Sequence, residues 1–252
     1  MGLWPFEAPF TNVAVASEAG RPGVTLASLS WLQGTRAHAA SYLHPGRAMT
    51  WAVWGGLLEI PGIERRTARD ELIGQFTAHH LRAGLGVSRH IGQGLGVGIS
   101  CEWLYQKIDV FEAGAVSLNV GFTARRLPGA LAIGAFVRQM PLAKSFGDGP
   151  IDLRTAVGMG LGRCWSLFGQ KDGLYVAADA LYWGGGKKGA LSFQVRPQPP
   201  LAVRGAYLVG VDLQRLSLGV GVDTPRFSLD YAYLPLRFDF GDAHCFGFSV
   251  FF

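Results

Sequence analysis

No apolar stretch in this 252-residue chain reaches the roughly 18 to 20 residues that a membrane-crossing helix requires. Charge or proline interrupts each candidate, as Arg47, Glu59 and Pro61 do around residues 51–58. Helical spanning is therefore excluded. Charge itself is scarce: Asp, Glu, Lys and Arg make up 16% of the residues, against about 25% in ordinary soluble domains. Hydrophobic residues make up 49%, a poor surface for a protein bathed in water. The three cysteines, Cys101, Cys164 and Cys245, are odd in number and far apart, so no disulfide framework is implied. On strands they serve as small apolar residues. Neither Gly-x-Ser-x-Gly nor His-x-Ser occurs, and Ser88 near His90 is the nearest approach to a nucleophile beside a base. The chain accordingly reads as a non-enzyme without a cofactor. The first twenty residues show no basic segment followed by a long apolar core, which is expected of a mature chain or one starting downstream of its export signal. The net charge of +5 comes from dispersed cations such as Arg65–Arg66, Arg125–Arg126 and Lys187–Lys188, not from a basic face, so no nucleic-acid partner is expected.

What the chain does have is two-residue alternation with an unusual second face. Leu95, Val97, Ile99, Cys101 and Trp103 share one side of an extended strand, while Gly94, Gly96, Gly98 and Ser100 share the other. The pattern recurs with Val116, Leu118, Val120 and Phe122 against Ser117, Asn119, Gly121 and Thr123. It appears again with Val157, Met159 and Leu161 against Gly158, Gly160 and Gly162, and with Leu216, Leu218, Val220 and Val222 against Ser217, Gly219 and Gly221. A soluble sandwich would place solvated, charged side chains on its second face. Small, nearly uncharged residues there fit a barrel wall with lipid outside and a narrow, crowded lumen inside.

Reading Gly, Pro, Asp and Asn clusters as breaks gives about fourteen strands, near residues 24–32, 36–43, 48–58, 72–87, 94–107, 114–124, 130–140, 154–167, 174–183, 190–196, 201–210, 214–222, 226–234 and 243–252. The fold class is thus all-β, a transmembrane antiparallel β-barrel occupying residues 24–252 behind an N-terminal extension at residues 1–23. With both termini on the periplasmic side, short connections are expected at residues 43–47, 125–129, 168–173, 197–200 and 223–225. Longer outer ones are expected at 61–71, 141–153 with its Gly147-Asp148-Gly149-Pro150 turn, 184–189 and 235–242. The last strand puts His244, Phe246, Phe248, Val250 and Phe252 on one face and ends the chain on an aromatic residue, like the terminal signal of outer-membrane clients. Trp31, Trp51, Trp54, Trp103, Tyr105, Trp183, Tyr231 and Tyr233 near strand ends suit interfacial girdles.

In the C-terminal third, Ala202-Val203-Arg204-Gly205-Ala206-Tyr207, Leu216-Ser217-Leu218-Gly219-Val220-Gly221, Phe227-Ser228-Leu229-Asp230-Tyr231-Ala232-Tyr233 and Phe240-Gly241-Asp242-Ala243-His244 follow one another. Together they resemble the closing strands of the PorV/PorQ family of FadL-like outer-membrane barrels. Leu29-Ser30-Trp31-Leu32, Ile63-Glu64-Arg65-Arg66 and Gly74-Gln75-Phe76-Thr77-Ala78 fit the same order upstream. The resemblance implies the cell outer membrane, a lipid surround, a protein partner in an envelope or secretion assembly, and a non-enzymatic subunit or adaptor role. Its FadL-like side implies the alternative, a transporter of hydrophobic small molecules. The family's N-terminal Asn-Pro-Ala hatch motif has no counterpart before Arg21, and His79-His80 replaces the acidic residue common after the strand opening. A soluble β-sandwich binding module is the remaining alternative.

Two motifs point elsewhere only superficially. Gly92, Gly94, Gly96 and Gly98 run into a strand, where a dinucleotide loop would open a helix. His79 and His80 fall on opposite faces of a strand and cannot chelate one ion together, so no metal is expected. The remaining chemistry lies in charges on the small-residue face: Glu102, Arg138, Asp179, Arg204 and Asp230. Unpaired charges inside a barrel cost several kcal/mol each, so these five are expected to form an internal acid–base network that closes the lumen, or a lining for a polar head group.

Overall fold

The computed structural model describes residues 11–252 except 93, 128–129, 143–145, 148, 150 and 239. Fourteen strands form the wall: β1 Gly23–Ser30, β2 Arg36–Pro45, β3 Thr50–Arg66, β4 Leu72–Ile91, β5 Leu95–Ile108, β6 Phe111–Leu127, β7 Leu131–Pro141, β8 Ala156–Leu167, β9 Gln170–Trp183, β10 Gly186–Val195, β11 Leu201–Val209, β12 Leu216–Asp223, β13 Phe227–Pro235 and β14 Asp242–Phe251. Each pairs antiparallel with its neighbour in sequence, and β1 pairs with β14 from Gly23–Phe251 to Ser30–His244, which closes the cylinder. Closure leaves no free sheet edge, the condition for strands to cross lipid. A two-residue strand, Phe146–Gly147, adds to β6 opposite Ala113 and Gly114.

Side-chain direction follows the alternation. Val97 is 37% exposed and Leu218 44%, both pointing away from the axis with Val53, Leu85, Ile99, Leu161, Leu191, Val220, Phe246 and Phe248. Ser100, Ser117, Asn119, Thr123, Ser228 and Ser249 are buried on the inner face. Large apolar groups outside and small polar groups inside reverse the arrangement of a water-soluble domain, as expected from the sequence.

β1 begins and β14 ends at one rim, here called inner. The connections at residues 46–49, 92–94, 128–130, 168–169, 196–200 and 224–226 lie at the same rim. Those at 31–35, 67–71, 109–110, 142–155, 184–185, 210–215 and 236–241 lie at the outer rim. Two outer connections are thus as tight as any inner one, so the expected contrast in length is weaker than anticipated. Residues 61–71 are mostly strand and not a loop, because β3 runs through Pro61 and Gly62 by a register shift between Ile60 and Ile63. Such a bulge removes the ladder position that proline cannot serve. A shift between Gln170 and Leu174 likewise lets β9 start before Gly173, and β10 resumes at Gly186 directly after the Gly184–Gly185 turn. Of the anticipated turn Gly147-Asp148-Gly149-Pro150, Asp148 and Pro150 lie outside the described residues, as do residues 1–10 of the N-terminal extension.

The described part of that extension enters the barrel. Val13–Glu18 form a 3-10 helix, η1, packed against β3, β4, β5 and β6. Val13, Ala14, Val15 and Ala16 are buried, and Val15, Ala16 and Ala19 join Leu43, Ala52 and Trp54 in an apolar cluster. Trp54, read as an interfacial aromatic, is 3% exposed and belongs to this interior, whereas Trp51 at 55% faces outward.

Candidate functional site

The lumen combines enclosed space with chemistry. Its floor has two halves. Under β3–β6 lies η1, seated on a row of small residues. A methyl group at Gly98 would come within 3.0 Å of the backbone of Val13 and Ala14, and one at Gly96 would crowd Ser17. Asn12 caps η1 by accepting from the Ala14 N–H at 3.1 Å, and its amide donates to the carbonyls of Phe122 and Ala135 at 3.2 and 3.3 Å. One side chain thereby starts the helix and ties it to both β6 and β7. At the other end Glu18 pairs with Arg125 at 2.7 Å, and Ser17 meets His90 at 3.4 Å. Burial is the largest influence on the Glu18 carboxyl and raises its pKa, with Arg125 opposing. His90 thus bonds the plug's Ser17.

Under β10–β13 the floor is ionic. Arg204 donates to Asp230 at 2.6 Å, to Gln194 at 2.8 Å and to Asp223 at 3.3 Å; Arg196 reaches Asp223 at 3.4 Å, and Ser228 donates to Asp230 at 3.1 Å. Across the lumen Glu102, 2% exposed, accepts from Arg82 at 2.7 Å and from the Trp54 indole at 3.3 Å.

Above this floor are two cavities, of about 570 Å³ and 790 Å³, and Ala27 and Cys245 line both. The smaller follows β9–β14, walled by Phe136, Leu181, Ala190, Ala206, Leu208 and Ala232, with Arg138, Asp179, Arg204 and Asp230 at its edge. The larger lies beneath Ile151–Arg154 of the outer connection, walled by Leu29, Leu58, Leu104 and Trp183, with His80, Arg82, Gln106 and Gln139 among its lining. Sizes of this order hold small organic molecules, and mostly apolar walls with a few polar groups are the usual make-up of such sites.

Of the five charges expected to form one network, Arg204 and Asp230 are joined, Arg138 and Asp179 line the same cavity as that pair, and Glu102 belongs to a separate cluster with Arg82. The lumen is sealed in parts and hollow in others. Sequence reading missed Arg82, Gln194, Arg196 and Asp223. Arg82 shares the inward parity of Ala78, Gly86 and Ser88 and was legible by alternation. Asp223 reads as part of the 223–225 connection, and Arg196 as the last residue of a strand ending beside Pro197. His79 faces outward to Glu59 at 3.5 Å, while His80 faces the larger cavity. Among the described residues no cluster of three or more metal-ligating side chains occurs, and the three cysteines are free.

No family model matches the sequence, and no curated protein matches it. Solved structures do match the fold. The chain superposes on a monoaromatic hydrocarbon channel, CymD, with a TM-score of 0.70 at 12% identity, covering 100% of this chain and 94% of the other. It superposes on a TodX monoaromatic hydrocarbon channel lacking S2 and S3 with the same score and identity, over 97% and 94% of the chains. The outer membrane protein Omp33 of Acinetobacter baumannii gives 0.54 at 9% identity, over 92% and 98%. The fold is therefore a closed antiparallel barrel like those of these outer-membrane proteins, and the apolar belt is the surface it presents to the outer membrane. The PorV/PorQ likeness of the closing strands has no counterpart in these comparisons.

Proposed function

We propose that this barrel passes small apolar molecules across the outer membrane, in preference to the adaptor role that the PorV/PorQ resemblance implies. The observation that carries this reading is the pair of apolar cavities that share Ala27 and Cys245, inside a sealed wall and above a plugged, ionic floor. An adaptor needs outer surface and gains nothing from an apolar interior, which leaves its lining groups without packing partners. An entrant that wets poorly fills such space at about 25 cal/mol per Å² of apolar area removed from water. The likeness to two barrels described as monoaromatic hydrocarbon channels supports the same reading. The belt of outward Val, Leu and Phe residues meets lipid.

The test is initial uptake of radiolabelled toluene by Gram-negative cells producing the barrel. Cells with the wild-type chain take it up faster than cells without it, and filling the smaller cavity by Ala190→Phe with Ala206→Phe removes the difference at equal barrel abundance. Uptake indifferent to the barrel, or to the filled cavity, contradicts the proposal.

A further inference from the structure

One irregularity of the wall has a chemical consequence. Between β6 and β7 the ladder slips: Leu118 pairs with Met140 and Val120 with Val137, so Arg138 and Gln139 together stand opposite Asn119. In an unbroken strand two consecutive residues point to opposite faces, and one of this polar pair would meet lipid. The bulge turns both inward: Arg138 lines the smaller cavity and Gln139 the larger. Gln139 has φ 55°, the left-handed region that side chains other than glycine seldom adopt. Asn119 holds this conformation, accepting from the Gln139 N–H at 2.8 Å while donating to Ser100 at 3.1 Å. The fold thus bears backbone strain and commits a buried amide to keep Gln139 in the lumen.

Gln139 is not alone there. His80 from β4, Arg82 from β4 and Gln106 from β5 line the same cavity, whose other walls include Leu58 and Leu104. Asp152 and Arg154 of the overlying connection add charge at one side, and Arg82 is already paired with Glu102; His80, Gln106 and Gln139 against the apolar walls are desolvated at a cost when a pure hydrocarbon fills the space, and gain a partner when the occupant brings an acceptor of its own. We infer that the larger cavity selects small apolar molecules carrying one hydrogen-bond-accepting oxygen, with the oxygen among His80, Arg82, Gln106 and Gln139 and the apolar body against Leu58 and Leu104. This rests on the reading of the lumen as a passage for apolar molecules and narrows its substrate class.

The experiment compares two nearly isosteric probes, 4-fluorotoluene and 4-fluorobenzaldehyde, by fluorine NMR titration of the full chain in amphipol, with amphipol alone as the blank. The aldehyde binds about five- to tenfold tighter than the toluene, as one or two added hydrogen bonds imply. The double variant Gln106→Leu with Gln139→Leu brings the ratio to about one while toluene binding persists. Gln106→Leu alone, which leaves the bulge intact, gives an intermediate ratio and guards against a folding defect in the double variant. Equal affinities in the wild-type barrel, or a preference untouched by both variants, overturn this inference and leave the passage reading standing. Binding of neither probe overturns both.

Discussion

Replacing Gly121 by Ala tests how the plug is held. Gly121 lies in regular strand without positive φ, so only space is at stake. An added methyl would fall within the van der Waals envelope of Asn12 Oδ1 and 3.0 Å from the Ala14 nitrogen. What the methyl disturbs is a small balance. Burial of Val13 and Val15 contributes roughly 2 kcal/mol each and of Ala14 and Ala16 about 0.8 kcal/mol each. The three hydrogen bonds of Asn12 add about 1 kcal/mol each. Ordering the plug backbone costs about 1 to 2 kcal/mol per residue, which offsets nearly all of this gain. Overpacking penalties of about 1 to 3 kcal/mol therefore suffice to shift the segment to a largely unseated state. Proteinase K cleavage within Val13–Ala19 in liposome-embedded barrels reads the seating, and planar-bilayer conductance reads its consequence. Gly121→Ala raises cleavage rate and open probability by about tenfold or more, whereas Gly74→Ala, where an added methyl meets nothing within 4 Å, changes neither. Equal cleavage and conductance in Gly121→Ala and wild type would refute the argument that the small-residue face is shaped by η1.

Three further outcomes follow from the same geometry. Glu102→Gln leaves Arg82 facing a neutral partner and lowers the unfolding midpoint of the barrel in urea, with a loss of about 3 kcal/mol, the low end for buried pairs because Arg82 retains access to the lumen; an unchanged midpoint contradicts the pairing. Burial raises the Glu18 pKa above its ordinary 4.5, so its contribution to plug seating is fully present below that value and is lost as pH rises through the raised one. Proteinase K cleavage within Val13–Ala19, corrected for the enzyme's own pH profile, accordingly increases with pH in wild type, and Glu18→Gln removes that slope; a slope of opposite sign, or one that survives the substitution, counts against the assignment. Leu218→Arg on the outer face costs about 2 to 4 kcal/mol in folding titrations into lipid vesicles, whereas Ser217→Ala on the inner face costs under about 1 kcal/mol; similar values for the two would mean the faces are misassigned.

Alternation made the wall legible. Along much of the wall large apolar side chains take one face and small ones the other, so parity alone placed Val97 and Leu218 outside and Ser100 and Ser117 inside, and the strand number followed from the turn residues. Proline and glycine misled where bulges absorb them, at Pro61–Gly62 and at Gly173, because a residue that breaks a regular ladder is tolerated in an irregular one. The plug was hidden for another reason. Val13-Ala14-Val15-Ala16 has no motif, and the mark it leaves is the glycine row on β5 and β6, which reads equally as an empty narrow lumen. Arg204 and Asp230 could be expected to meet because both lie on the inward parity of strands near one another in sequence. Glu102 and Arg204 could not be separated without the radial positions of their strands, and Gln139 could not be placed inside without the bulge that turns it there.

Anomalous diffraction from crystals of the full chain soaked in bromobenzene addresses the central claim, that this barrel keeps its apolar guest space inside and its lipid face outside. The account predicts a bromine peak within the space bounded by Phe136, Ala190, Ala206, Leu58 and Leu104. Bromine found solely against the outward belt around Val97, Leu218 and Phe248, with the lumen empty at saturating bromobenzene, would contradict it.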